Sequence, residues 1–186
     1  MSFVHLQVIS AYSLLQTTTR IEDLVRSAKT KGYQAIALTD QNVLYGQVDF
    51  FKLCKKYAIQ PILGIQLDLP GIISKDRTFP LVLLAKDFEG YKKLMALSTV
   101  RNQDVPDKEL FSLLDDDSSR IIAITPGEKG EIESFLNGDD QQNAKAASLA
   151  WKKIFTHGNF YLGVQLHEKM KPIIPGLKRL SQETNI

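Results

Sequence analysis

The chain has 186 residues, 44% hydrophobic and 24% charged, a balance that excludes collagen-like, low-complexity and disordered proteins. The 23 Lys and Arg nearly balance the 21 Asp and Glu, so nucleic-acid binding would need a local basic patch. A single cysteine excludes an intrachain disulfide, and the sequence shows neither a signal peptide nor an apolar run near the roughly 20 residues of a membrane span, so we expect a cytoplasmic protein without membrane contact.

Predicted strands and helices alternate along the chain. Residues 3–9 alternate between two sets of side chains, which predicts an N-terminal strand with two different faces. Thr19, with Glu22 three residues later, has the form of a capping box that opens the first helix, and Gly32 ends that helix. Short apolar runs predict further strands over 35–39, 61–69, 81–85, 121–124 and 160–166. Further helices are predicted over 45–57, 88–100, 106–114, 130–136, 139–155 and 172–184.

This alternation is typical of parallel β-α units and predicts an α/β fold, in one domain spanning residues 1–186. The chain stops after a helix, where the rhythm predicts another strand, so we expect a barrel that is incomplete. In parallel architectures, functional side chains follow the carboxyl ends of the strands. The residues at those ends are Gln7, Ile9 and Ser10; Thr39, Asp40, Gln41 and Asn42; Gln66 and Asp68; Lys86 and Asp87; Thr125 and Pro126; and Gln165 and His167.

An ordered series of motifs resembles the PHP (polymerase and histidinol phosphatase) domain, in the form found at the N-terminus of the alpha subunits of bacterial DNA polymerase III. The resemblance implies a distorted (β/α)7 barrel. It also implies, for active members, a cluster of Zn or Mn ions at the strand ends and hydrolysis of phosphoesters. The motifs are FVHLQVISAYSLL at 3–15, AIALTD at 35–40, YG at 45–46, IQPILG at 59–64, LLAKD at 83–87 with GY at 90–91, and FYL at 160–162.

Most metal ligands that the resemblance implies are replaced in this sequence. Gln7 and Ile9 stand where the family has His-x-His, and Ile9 cannot ligate a metal. Asp40 is retained, but Gln41 replaces the histidine that follows it in the family. Gln66 stands in place of a glutamate, which removes a charge. These five residues are therefore expected to form a vestigial site.

The departures from the family pattern argue against its hydrolytic chemistry. Pro80 takes the place of a further histidine, and one remaining carboxylate cannot hold a metal cluster against water. We therefore expect no catalytic residue, no metal and no cofactor in this chain. Instead, Gln7, Gln41 and Gln66 are expected to hydrogen-bond to one another or to Asp40 and fill the former metal site.

The resemblance implies a non-catalytic structural domain of a longer polymerase, whose own active site would use Mg²⁺. The expected partners are the remaining domains of the polymerase alpha subunit and other replisome proteins, with only weak or indirect contact with DNA. Two other hypotheses stay open. The chain is a metal-dependent phosphoesterase or 3′–5′ proofreading nuclease with a displaced site at Asp40, Asp68 and His167, or it is a docking module for another replisome protein.

Three lysines of the helix predicted over 45–57 form a basic cluster. Lys52, Lys55 and Lys56 form either a solvated face or a contact with DNA or a partner domain.

Overall fold

The computed structural model describes residues 3–103 and 106–186, and these residues form a mixed α/β fold with five strands and seven α-helices. The strands are β1 (Ala35–Leu38), β2 (Gln60–Pro70), β3 (Thr78–Ala85), β4 (Ile121–Ile124) and β5 (Phe160–Tyr161). The helices are α1 (Ile21–Thr30), α2 (Gln47–Lys56), α3 (Phe88–Arg101), α4 (Asp107–Asp115), α5 (Glu131–Asn137), α6 (Gln141–Ile154) and α7 (Ile174–Thr184). No helix within these two described ranges is long and apolar enough to cross a membrane.

The five strands lie in sequence order in one sheet. The sequence predicts parallel strands throughout, but the sheet is mixed. β1 pairs with β2 and β4 with β5 in parallel, whereas β3 is antiparallel to both of its neighbours. The segment 71–77 between β2 and β3 is a tight turn, in which Gly71 N donates to Arg77 O at 2.8 Å. Because β3 runs antiparallel to the other strands, its carboxyl end lies at the opposite end of the sheet from theirs. Lys86 and Asp87, which follow β3, therefore lie at that opposite end.

The predicted N-terminal strand over residues 3–9 is wrong, because this segment is extended beside β1 but does not pair regularly with it. Ala37 N donates to His5 O at 2.9 Å and Thr39 N donates to Val8 O at 2.7 Å. The two acceptors are three residues apart in the N-terminal segment, whereas the two donors are two residues apart at the end of β1. This mismatch breaks the even hydrogen-bond spacing of a parallel pair of strands. The Thr39 side chain fills the irregularity, since Val8 N donates to Thr39 Oγ1 at 2.9 Å.

Thr39→Val tests this side-chain bridge. The variant keeps the shape of the side chain but leaves the half-buried Val8 N–H without its acceptor. We expect the free energy of unfolding to fall by about 1 to 2 kcal/mol, measured by urea denaturation. Thr99→Val is the matched control, because the exposed Thr99 hydroxyl bonds only its own helix. Equal stability of the two variants would contradict the bridge.

The first helix begins one residue later than the capping box predicts. Arg20, and not Thr19, is the N-cap residue of α1, so the predicted cap is wrong. The Thr19 side chain instead contacts Thr17 Oγ1 at 2.8 Å, and its carbonyl accepts a hydrogen bond from Ala11 N. The predicted end is confirmed, because Gly32 has a φ of +75° and follows the last turn of α1.

The sheet buries apolar side chains on both faces. On the outer face of β2 and β3, Leu67, Leu81 and Leu83 pack against α3 to α7 in the largest cluster of the core. On the inner face, Val82 and Leu84 pack with residues of β1, β2 and β4. The Gly64 backbone approaches that face so closely that a Cβ there would lie 2.6 Å from Leu84 Cδ2.

The barrel is incomplete over the part of the chain that the structure describes, as expected. β5 has two residues, and not the seven of the predicted strand at 160–166. Beyond it, Gly163 N donates to Thr125 Oγ1 at 2.8 Å, so a side chain continues the pairing with β4. Gln165 Nε2 also donates to Gln7 Oε1 at 2.9 Å, which links the segment after β5 to the extended segment beside β1. The sheet itself stays open, and this side-chain hydrogen bond spans the gap between β1 and β5.

Candidate functional site

The polar end of the sheet follows from the register of β2 and β3. Gln66 lies directly opposite Val82, and Asp68 lies opposite Pro80, so all four residues share the inner face. The next pair toward the other end, Gly64 and Leu84, is apolar. The interior therefore changes from apolar to polar along the strands, and the polar end collects the candidate residues.

Asp40 is buried at the end of β1, with an exposed fraction of 1%. Its carboxylate accepts hydrogen bonds from Ser10 N at 2.6 Å, Ser10 Oγ at 2.7 Å and Ser13 Oγ at 2.7 Å. The Ser13 hydroxyl also accepts a bond from Gln41 N at 3.1 Å. Asp40 thus fixes the segment 10–13 against β1, and its bonds go to serines instead of to the expected glutamines.

Three glutamines from distant parts of the chain form a hydrogen-bonded chain across this end. Gln7 Nε2 donates to Gln66 Oε1 at 2.9 Å, which agrees with the expected bonding between replaced ligand positions. Gln7 Oε1 accepts from Gln165 Nε2, and that amide also donates to Pro126 O at 3.0 Å. His167 Nε2 lies 3.2 Å from Gln165 Oε1. The sequence did not predict the hydrogen bond between Gln165 and Gln7. The two residues lie at opposite ends of the chain, and no motif connects them.

Gln41 belongs to a second network beside the first. Its Nε2 donates to Asp68 Oδ2 at 2.7 Å, and its Oε1 accepts from Gln16 Nε2. Asn42 Nδ2 also donates to Asp68 Oδ2, and Asp68 N donates back to Asn42 Oδ1, both at 2.8 Å. The Asp68 carboxylate is therefore held by two amides. Sequence reasoning missed Gln16, which lies in a loop without any motif.

A cleft of about 270 Å³ opens among these amides. Ile9 lines it beside Gln7 and Gln66, so three of the five predicted site residues share one cavity, whereas Asp40 and Gln41 are not among its lining residues. Within the described ranges, no group of three or more His, Cys, Asp or Glu side chains is placed to hold a metal ion. Neutral amide oxygens are weak ligands for the Zn or Mn ions that the resemblance implies. The residues present do not fit a metal cluster.

Two glutamates of α5, which no motif indicated, are buried. Glu131 accepts hydrogen bonds from three consecutive backbone amides of the β2–β3 turn, Ile72 N at 3.0 Å and Ile73 N and Ser74 N at 2.9 Å. Glu133 accepts a hydrogen bond from the Thr125 hydroxyl. Burial raises the pKa of Glu133 to about 7. In the described part of the chain, Glu133 Oε2 has no hydrogen-bond partner.

Comparison with known proteins gives one family and many relatives. The PHP domain model matches residues 5–167. DNA polymerase III subunit alpha of Bacillus subtilis is 41% identical over the whole chain, and that of Halalkalibacterium halodurans is 30% identical over 92% of it. An error-prone DNA polymerase of Symbiobacterium thermophilum is 32% identical over 96%. The chain spans only 15 to 17% of the length of these relatives.

Two solved structures are more distant. A putative metal-dependent phosphoesterase from Bifidobacterium adolescentis is 12% identical, with a TM-score of 0.39 over 96% of this chain and 63% of its own. An amidohydrolase from Chromobacterium violaceum is 16% identical, with a TM-score of 0.41 over 52% of this chain and 31% of its own. The assignment therefore depends on the family model and on the polymerase relatives, which match this chain at high coverage. The chain belongs to the PHP domain family, and it is homologous to the N-terminal region of DNA polymerase III alpha subunits.

Proposed function

We propose that this chain is a non-catalytic structural PHP domain of a bacterial replicative DNA polymerase. The parent, a DNA polymerase III alpha subunit in the cytoplasm, would carry out template-directed DNA synthesis with residues outside this chain. One observation carries the proposal. The retained carboxylate, Asp40, is occupied by three hydrogen bonds from Ser10 and Ser13 and holds a loop in place.

The amide network supports a structural role for the whole polar end. A metal-free cluster of carboxylates would repel itself, whereas Gln7, Gln66 and Gln165 satisfy one another without any charge. The same amides cannot offset the charge of metal ions or stabilise a phosphoryl transition state as carboxylates and metals do. We therefore expect this domain to work without a metal cofactor.

The contacts give the hydrolase alternative no support. Asp40 is bonded to serines, Asp68 to Gln41 and Asn42, and His167 to Gln165. Each of the three residues of the displaced site is thus committed to different neighbours.

Contact with other domains of the subunit is supported by an exposed apolar loop near the polar end. Leu14 is 79% exposed, and Leu15 is fully exposed with a φ of +63°. Leu14 and Tyr45 line one cavity beside Gln41 and Asn42, and Tyr45 is 74% exposed. Contiguous apolar surface of this kind is typical of an interface. Docking of another replisome protein would use similar surface and remains a separate hypothesis.

Elemental analysis tests the proposal directly. Tag-free protein is incubated with Zn²⁺ or Mn²⁺, dialysed exhaustively and analysed for bound metal, and hydrolysis of a phosphodiester is assayed with Mn²⁺. We expect no stoichiometric metal and no hydrolysis. The control combines Gln7→His, Ile9→His, Gln41→His and Gln66→Glu, which restores ligands and should raise metal retention. Stoichiometric metal in the unaltered chain, lost in Asp68→Asn with the fold intact by circular dichroism, would overturn the proposal.

A further inference from the structure

A groove lies at the end of the sheet opposite the amide cleft. It has a volume of about 240 Å³ and is formed where β2 begins, β3 ends and α2 and α3 flank them. Three aromatic side chains line it. Phe51 is 43% exposed, Phe88 is 66% exposed and Tyr91 is half-buried. We call this surface the aromatic–lysine groove, lined by Phe51, Lys55, Lys86, Phe88 and Tyr91.

Lysine side chains lie close to two of the aromatic rings of the groove. Lys55 Nζ lies 5.4 Å from the centroid of the Phe51 ring, and Lys92 Nζ lies 5.0 Å from that of Phe88. Lys86 lines the groove, and its Nζ donates to Ser119 O at 3.0 Å and to Asn159 Oδ1 at 3.3 Å. The ammonium groups of Lys55 and Lys92 therefore lie close to exposed aromatic rings.

The charge of the groove is positive, because its carboxylates already have partners. Asp87 is paired with Arg120 at 2.6 Å, and Glu89 is paired with Lys92 at 2.9 Å. Among the residues that the structure describes, Lys55 and Lys86 have no carboxylate partner. Lys52 and Lys56, also on α2, have no ion pair among the described residues, but they line a separate cavity together with Glu22 and Asp49.

We propose that the aromatic–lysine groove binds single-stranded DNA without sequence preference. Bases would stack on the exposed Phe51 and Phe88 rings, and phosphates would lie near Lys55 and Lys86. Exposed aromatic faces beside unpaired cations are the two features by which proteins hold single strands. The net charge of the chain is only +2, so the binding depends on this local patch and not on the whole surface.

The chemistry favours a single strand over the other polyanions. In a duplex the bases stack on each other and their faces are not available to Phe51 and Phe88. An acidic peptide would satisfy the lysines but would leave both rings exposed. This contact goes beyond the proposed structural role and does not depend on the state of the amide cleft.

Fluorescence anisotropy with labelled oligo(dT) of about 12 nucleotides tests the groove at low salt. We expect Phe88→Ala to weaken binding about tenfold, because it removes one stacking ring. Lys55→Gln should reduce the slope of log affinity against log salt by about 0.7. The matched controls are Tyr161→Ala and Lys178→Gln, an exposed ring and an exposed lysine away from the groove. Thermal melting checks that each variant is folded.

Four outcomes would overturn the proposal. Oligo(dT) does not bind. Phe88→Ala and Lys55→Gln weaken binding no more than Tyr161→Ala and Lys178→Gln do. A duplex of the same length binds as tightly as oligo(dT), which would leave the aromatic rings without a role. A polyglutamate peptide binds more tightly than oligo(dT), which would identify the groove as a site for an acidic protein.

Discussion

Asp40→Ala is expected to lower the free energy of unfolding by about 3 kcal/mol. The carboxylate is buried and accepts hydrogen bonds from one backbone amide and two hydroxyls, at 2.6 to 2.7 Å. Its removal leaves Ser10 N and both serine hydroxyls without an acceptor in a site that water does not reach. The loss should be measured by urea denaturation in the presence of a chelator, so that adventitious metal makes no contribution.

Ser13→Ala provides the graded comparison for Asp40→Ala. It removes one of the three donors to Asp40 and the acceptor of Gln41 N, and it leaves the carboxylate bonded to Ser10, so a loss of about 1 to 2 kcal/mol is expected. If Asp40→Ala costs no more than Ser13→Ala, Asp40 does not hold the loop, and the structural reading of the polar end is wrong.

Glu133→Gln is expected to change how stability depends on pH. Burial raises the pKa of Glu133 from 4.5 to about 7, so the folded protein favours the protonated carboxyl. Between these two values the folded state binds more protons than the unfolded state, and stability falls as the pH rises. Above the folded pKa the ionised carboxylate costs about 3 kcal/mol relative to low pH.

The measurement compares wild type and Glu133→Gln by urea denaturation at about pH 5 and about pH 8. Glutamine cannot ionise, so the variant should gain stability relative to wild type at the higher pH. A fixed cost of placing the amide in the pocket is the same at both values and cancels in the difference. Glu109→Gln, on the exposed surface of α4, shows the background dependence. Parallel behaviour of wild type and Glu133→Gln would contradict the buried, protonated carboxyl.

The sequence indicates most helices and strands, but it does not show the direction of β3. An apolar run such as 81–85 reads the same in both directions, and β3 is buried on both faces. The available signal is the link at 71–77, which is shorter than the roughly dozen residues that a parallel crossover needs. The strand prediction for residues 3–9 is wrong for another reason. Its alternation is real, but the hydroxyl of Thr39 interrupts the ladder that alternation alone would predict.

The candidate site is predictable in part. Gln7 and Gln66 could be placed together because the resemblance aligns both with metal-ligand positions of the family. The serine partners of Asp40 could not, because Ser10 and Ser13 lie in a loop whose path depends on the carboxylate itself. Glu131 and Glu133 were also missed, since charged residues on a short helix are ordinarily exposed.

The contact between Glu131 and the β2–β3 turn limits where the chain can be engineered. Exposed turns are usually the best places to insert a tag, a reporter or a new chain terminus. Here three consecutive amides of the turn are bonded to one carboxylate on a helix nearly sixty residues further along the chain. An insertion at residues 72–74 would therefore displace α5, although the turn itself lies at the surface.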